Sequence, residues 1–338
     1  MARSVRIEYA GAVYHVMCRG DRREAIYRGR QDYELFLDTL AQVCERTGFR
    51  IHSYVLMPNH YHLLLETPEP NLVAGMKWFQ GTYTQRCNRR YGLSGHLFQG
   101  RYKAIPTDSE DPGYFRQISD YIHLNPARAR MLDAENPKLS DYPWSSYPNF
   151  VKGRKLPWWL VRERVFNGHE LSNEVRGSQR RYTVLMEKKA RECVAGEESE
   201  QEKAEWKAVR KGWYLGSDTF RDRLLDLADN RVQGRKRSSY RGEGLEGHDE
   251  RAALRLLEQA CRALGVTLTD LWGRRQTDPE KQAVTWWVKS RSVVGDEWLS
   301  AKLEMGSRTN VHRAVHAFRT TADRGRLKLK QLLQLCAD

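Results

Sequence analysis

The order of apolar patterns over the first 130 residues constrains this chain more than any other feature. Residues 5–19 alternate as a strand that ends near Gly20, and residues 31–48 space Leu35, Phe36, Leu40 and Val43 as one face of a helix. Ile51 to Met57 is rich in strand formers. Pro58-Asn59 breaks that run, and His60 to Glu66 resumes it as a second strand. Residues 71–90, with Val73, Met76, Phe79 and Tyr83, predict a helix; residues 96–105 predict a strand; residues 111–124 predict a helix that stops before Asn125-Pro126. The order β-α-β-β-α-β-α predicts an α+β sheet domain over residues 1–150.

A chain of 338 residues has room for two or three domains. The Trp- and Pro-rich segment Tyr142 to Leu160 is expected to wrap back over the first domain. Residues 151–248 read as a helical, basic connecting region, with an exposed linker carrying Arg231, Arg235, Lys236, Arg237 and Arg241. Residues 249–338 form the third expected domain, with helices at 249–265, 280–293, 296–304 and 307–320. No apolar run reaches the roughly 18 to 20 residues of a membrane span. Arg3, Arg6 and Glu8 interrupt the start before a secretory core can form. Cysteines at 18, 44, 87, 193, 261 and 336 show no paired spacing, as expected of reduced thiols in a cytoplasmic protein and not of a disulfide framework or zinc site.

The charge is +14 and uneven: residues 1–150 carry a net +3 and residues 151–338 a net +11. Such a surplus suits a polyanionic partner, because each neutralised phosphate releases counterions.

His60-Tyr61-His62 is the sharpest local feature. Side chains two apart on a strand face the same way, so both imidazoles project from one face while Tyr61, Leu63 and Leu65 point to the other. Two imidazoles so placed can share one divalent metal, although two unrelated histidines would give the same pattern. Tyr121 and Asn125 stand at i and i+4, on one face of a helix. Tyr121 reads as a phenolic nucleophile or as a packing tyrosine. Asn125 reads as an oxygen ligand or as the cap of a helix beginning at Pro126.

Together, Pro58-Asn59-His60-Tyr61-His62-Leu63-Leu64-Leu65 and Tyr121-Ile122-His123-Leu124-Asn125-Pro126-Ala127-Arg128-Ala129 resemble the single-tyrosine HUH transposases, and among them the REP-associated tyrosine transposases of bacteria. Tyr14-His15-Val16, Arg19-Gly20 and Gly95-His96-Leu97-Phe98-Gln99-Gly100-Arg101-Tyr102 extend the resemblance over about residues 5–150. Two departures are visible: Tyr61 replaces the usual bulky apolar residue, and Asn125 stands where many insertion-sequence relatives carry Gln. The resemblance implies a ferredoxin-like HUH core. In it His60, His62 and Asn125 would hold Mg²⁺ or Mn²⁺, and Tyr121 would form a 5′-phosphotyrosine on single-stranded or hairpin DNA. A phenol with a pKa of about 10 is a poor nucleophile at neutral pH, and a nearby cation favours its phenolate.

Trp298 to His316 resembles the helix-turn-helix of the bacterial replication initiator's DNA-binding domain. In that reading Leu299, Leu303, Val311 and Val315 pack two helices, and Met305-Gly306 makes the turn. Arg308, Thr309, Asn310, His312 and Arg313 would then face duplex DNA. Phe98, Arg101, Tyr102 and Lys103 interleave aromatics with cations, as single-strand binders do and as half-buried strands also do. The expectation is a metal-dependent DNA nickase and strand transferase, acting as a monomer or homodimer. The alternative is a non-catalytic, domesticated DNA-binding regulator that keeps the fold.

Overall fold

The computed structural model describes residues 6–152, 155–172, 177–232, 243–292 and 294–335. They fall into two compact units, one of residues 6–224 and one built from residue 225 onward.

The first unit is built on four strands: β1 (Ala12–Arg19), β2 (Arg50–Met57), β3 (His60–Thr67) and β4 (Lys103–Thr107). Their order is β2-β3-β1-β4, and every neighbouring pair is antiparallel. Helix α1 (Arg30–Thr47) joins β1 to β2, and α2 (Leu72–Tyr91) joins β3 to β4. In α1 the Asp32 carboxylate accepts the Arg28 and Gly29 amides at 2.7 and 3.1 Å, tying down the first turn. Gly48 and Gly92, at φ +74° and +62°, close the two helices in the left-handed region that glycine adopts without strain. Phe36 of α1 and Phe79 of α2 both pack on Tyr61, so the two helices cover one face of the sheet. This is the ferredoxin-like arrangement that the family resemblance implies, built on the α+β order that the sequence pattern predicts.

The opposite face is covered by α3 (Pro112–His123), which lies on β2 and β3 and is backed by α6 (Glu163–Gly168) and α8 (Glu200–Lys211). Asp111 caps α3 by accepting the Gly113 amide at 2.7 Å, and Pro112 occupies its first turn. Both outer edges of the sheet are paired. Leu56 donates to the Trp144 carbonyl, Ile51 to Trp159, and Val161 to Ile51, at 2.8 to 3.0 Å. On the other side Leu215 donates to Pro106 and Asp108 to Leu215, at 2.9 and 2.7 Å. These bonds remove the exposed edges that invite strand-to-strand association. The first compact unit therefore runs past residue 150, into residues the sequence places in a connecting region.

Three boundaries differ from expectation. The first strand begins at Ala12, because Gly11 at φ +74° turns the chain out of the extended region. The strand expected at 96–105 is β4, Lys103–Thr107. Before it Gly95 and Gly100, at φ +96° and +68°, interrupt the ladder, leaving a single bridge from Phe98 to Gly20. Helix α9 (Asp218–Val232) takes in Arg231, which the sequence places on the exposed basic linker, and α10 (Glu243–Leu264) begins two residues after Arg241. Arg235, Lys236, Arg237 and Arg241 lie outside the described residues.

The second unit is all helical among the described residues. It includes α10, α11 (Leu268–Trp272), α12 (Pro279–Arg291), α13 (Asp296–Lys302), α14 (Arg308–Arg319) and α15 (Arg324–Leu335). The sequence reading missed α11 and α15. Trp287, Leu299, Leu303, Met305, Val311 and Phe318 form its buried core. No helix is long and apolar enough to cross a membrane among the described residues.

Candidate active site

On the face of the sheet under α3, β3 presents His60 and His62, while Tyr61 turns to the opposite core. Register places Arg19 beside His60 and Met17 beside His62, on the same face. Helix α3 lays Tyr121 against this face. The Tyr121 ring stands edge-on to His62, with centroids 5.4 Å apart. Asn125 follows in the short helix α4 (Asn125–Arg128), where Leu124 occupies the cap position. Its side chain makes no helix-cap hydrogen bond; it lines the same pocket as His60 and lies close enough to influence that ring. The Asn59 carboxamide takes up His60 Nδ1 at 2.7 Å.

His60, His62, Tyr121 and Asn125 thus line one pocket of about 480 Å³. Arg19, Arg101, Lys103, Arg128 and Arg210 line it too, which makes it strongly cationic. The Arg128 guanidinium lies 5.4 Å from the Tyr121 ring centroid and 5.2 Å from that of Trp206, and pairs with Glu198 at 3.1 Å. Burial dominates at His60 and the Arg19 charge adds to it, lowering the ring to about 4, while neighbouring Asn125 acts in the opposite direction. Burial also drives His62 well below the ordinary imidazole value, assisted by His15 and His60. Both rings are neutral at pH 7, the state in which imidazole donates to a metal.

Strand alternation puts the histidine pair on one face of the sheet and says nothing of what lies over that face. The structure covers it: His62 is 5% exposed, Tyr121 4% and Asn125 8%. Tyr102 is also corrected. Its ring is buried beneath the Arg6 guanidinium, 3.7 Å from the centroid, and so is not a platform for bases. Arg101 and Lys103, its neighbours, reach the pocket. Sequence reasoning missed Arg19, Arg128, Trp206 and Arg210, and also His15, which bonds to His62. For His15 and Arg19 a signal exists, since alternation along β1 puts both on the face of the histidine pair. Nothing in the local sequence of α8 marks Trp206 or Arg210.

Residues 8–125, which contain the four central side chains, match the family model described as transposase IS200 like. This segment is an IS200-like transposase domain. A curated relative from Haemophilus influenzae, named as a REP-associated tyrosine transposase, is 24% identical over 134 residues. That match covers 36% of this chain and 72% of the relative. A solved structure of a REP-associated tyrosine transposase bound to a REP hairpin aligns with 48% of this chain and 92% of its own, at 21% identity and a TM-score of 0.38. Trp206 and Arg210 lie beyond the segment matched to the transposase family, yet they stand in the domain's pocket region.

In the second unit, α13 and α14 are joined through Met305 and Gly306, the latter at φ +76°. Leu299, Leu303, Val311 and Val315 are buried between them and the neighbouring helices. Arg308, Thr309, His312 and Arg313 are exposed. Arg308 pairs with Glu297, and His312 with Asp296 at 3.0 Å. Asn310 is half-buried, and its amide donates to the Met305 carbonyl at 2.8 Å, so it braces the turn.

Proposed function

We propose that this chain is a metal-dependent, single-tyrosine transposase that nicks and rejoins single-stranded or hairpin DNA. One observation carries the reading: a phenol, two neutral imidazoles and an amide line the same cationic pocket of a transposase domain. Tyr121 is the nucleophile. Its oxygen bonds to the phosphorus, the bond from phosphorus to the 3′ oxygen breaks, and the phenolic proton is balanced by the proton gained on the 3′-OH. The DNA end stays attached as a 5′-phosphotyrosine. This keeps a phosphodiester-type linkage, so a second 3′-OH can reverse the step on a new partner.

Among the described residues no three His, Cys, Asp or Glu side chains gather as a metal cluster. Two imidazoles and an amide oxygen nonetheless suit a divalent ion by their donor chemistry. His60, His62 and Asn125 would hold Mg²⁺ or Mn²⁺, which supplies Lewis acidity at the phosphate and favours the phenolate. Arg19, Arg101, Lys103, Arg128 and Arg210 bind the flanking phosphates. Arg128, which lies against both the Tyr121 and Trp206 rings, also orients the nucleophile. The exposed Arg308, Thr309, His312 and Arg313 of the second unit contact duplex DNA, and Arg235, Lys236 and Arg237 add phosphate affinity.

The deciding experiment incubates the full chain with a labelled hairpin oligonucleotide and Mn²⁺, then separates products on a denaturing gel. A protein-linked 5′ end supports the reading. Tight binding with no covalent product, across hairpin and single-stranded substrates, would favour the non-catalytic regulator.

A further inference from the structure

His15 has no place in the mechanism above, yet it is fully buried and touches two of its parts. It sits on β1, diagonal to His62 across the β1-β3 ladder. Its Nε2 is 2.9 Å from His62 Nδ1, with the two rings stacked at 5.1 Å and 26°. Its edge meets the Tyr121 ring, with centroids 5.7 Å apart. Its Nδ1 lies 3.2 Å from the carbonyl oxygen of Val209.

That carbonyl is a special one. The last four carbonyls of a helix have no partner within it. In α8 these belong to Ala208 through Lys211. Ala208 takes the Gly212 amide, Arg210 takes the Lys103 ammonium at 3.1 Å, and Val209 takes His15. The end of α8 is therefore tied to the sheet by two side chains of the pocket face.

These bonds fix proton positions by elimination. A carbonyl oxygen only accepts, so His15 Nδ1 carries the hydrogen. A neutral imidazole carries one hydrogen, so His15 Nε2 accepts. His62 Nδ1 must then donate, which leaves His62 Nε2 with its lone pair. We propose that His15 is a positioning residue: anchored on the Val209 carbonyl, it fixes the ring and tautomer of His62 so that Nε2 is the donor atom offered to the pocket. The relay Val209–His15–His62 makes α8, outside the matched transposase segment, a working part of the site. Its purpose rests on reading His62 as a metal ligand; the hydrogen-bond order does not.

The test uses the full-length protein with ¹⁵N-labelled histidine. Long-range ¹H–¹⁵N correlation reports which nitrogen of His62 is protonated, with no metal or DNA added. The expected result is Nδ1–H for His62 and Nδ1–H for His15. A wild-type His62 protonated on Nε2 overturns the relay without any variant. H15L keeps an apolar volume and removes the acceptor. It should release His62 into a mixture of tautomers and weaken Mn²⁺ binding about 10- to 100-fold, measured by calorimetry on protein with unchanged circular dichroism. H15Q places a carbonyl near the old Nε2 and should recover most of both. An unchanged His62 tautomer and Mn²⁺ affinity in a folded H15L protein also overturns the proposal. If the tautomers come out as expected but wild type forms no DNA adduct, the proposed function fails and the relay stands.

Discussion

The Tyr121 ring stands edge-on to His62 at 5.4 Å, although the two residues are 59 positions apart and belong to different elements. Helix α3 brings them together, and buried Asp120 pins that helix. Asp120 accepts Lys189 at 2.5 Å and His169 at 2.9 Å, drawing α7 (Ser178–Ala195) and the end of α6 against it. Burial alone would raise its pKa; the hydrogen bonds and charge supplied by His169 and Lys189 hold it below the ordinary value.

Replacing Tyr121 with Phe removes one hydroxyl and keeps the ring contacts with His62, His15 and Trp206. The variant should keep wild-type stability and hairpin affinity and form no covalent adduct. An adduct that persists on the denaturing gel would assign the nucleophile to another tyrosine.

His60→Ala and His62→Ala should both abolish cleavage, as should chelator, with Mn²⁺ or Mg²⁺ restoring only the wild type. Their stabilities should differ. His60 is half-buried, whereas His62→Ala empties a buried site and strands the His15 Nε2 acceptor, a loss of about 1–3 kcal/mol. Equal unfolding midpoints for the two variants would contradict the covered geometry of the site.

Stability should fall on mild acidification. His15 and His123 are fully buried, and burial lowers both to about 3. Unfolded, each titrates near 6.5. Above that pH neither state is protonated and there is no effect. Between about 6.5 and 4 the unfolded chain binds protons that the folded chain refuses. Unfolding then becomes easier by roughly 1.4 kcal/mol per pH unit for each histidine. Urea midpoints measured from pH 7 to 4.5 should decline; a flat profile would show that these rings are protonated in the fold.

Fragments should separate fold from affinity. A chain ending at residue 150 loses the pairing of Leu215 on β4 and of Trp159 and Val161 on β2, together with α8, and should aggregate. A chain ending near residue 245 retains these and should cleave a short single-stranded oligonucleotide at saturating concentration. It should bind duplex-containing DNA more weakly and with a shallower salt dependence. Unchanged duplex affinity and slope would move the binding surface to the first unit.

Arg308→Ala in the full chain tests base reading. If Arg308 leaves Glu297 for a base edge, discrimination at one position should relax by about 1–3 kcal/mol. Uniform weakening across sequences would make it a phosphate contact.

Local patterns determined much of this protein. Period-2 alternation put His60 and His62 on one face with Tyr61 opposite. Helical spacing marked α1, α2 and α3, and the helices read at 296–304 and 307–320 correspond to α13 and α14. These follow from geometry within a dozen residues, where backbone period and side-chain polarity suffice. What covers the histidine face was not legible there. Trp206, Val209 and Arg210 reach the site because α8 packs on α3, and that packing is set by long-range burial with no local period. Tyr102 could have been a platform for bases or a half-buried strand residue by alternation alone; Arg6, nearly a hundred residues earlier, covers it. Asn125 could have been a cap or a ligand by spacing alone. Only the tertiary fold, by bringing His60 to its amide, decided which groups it faces.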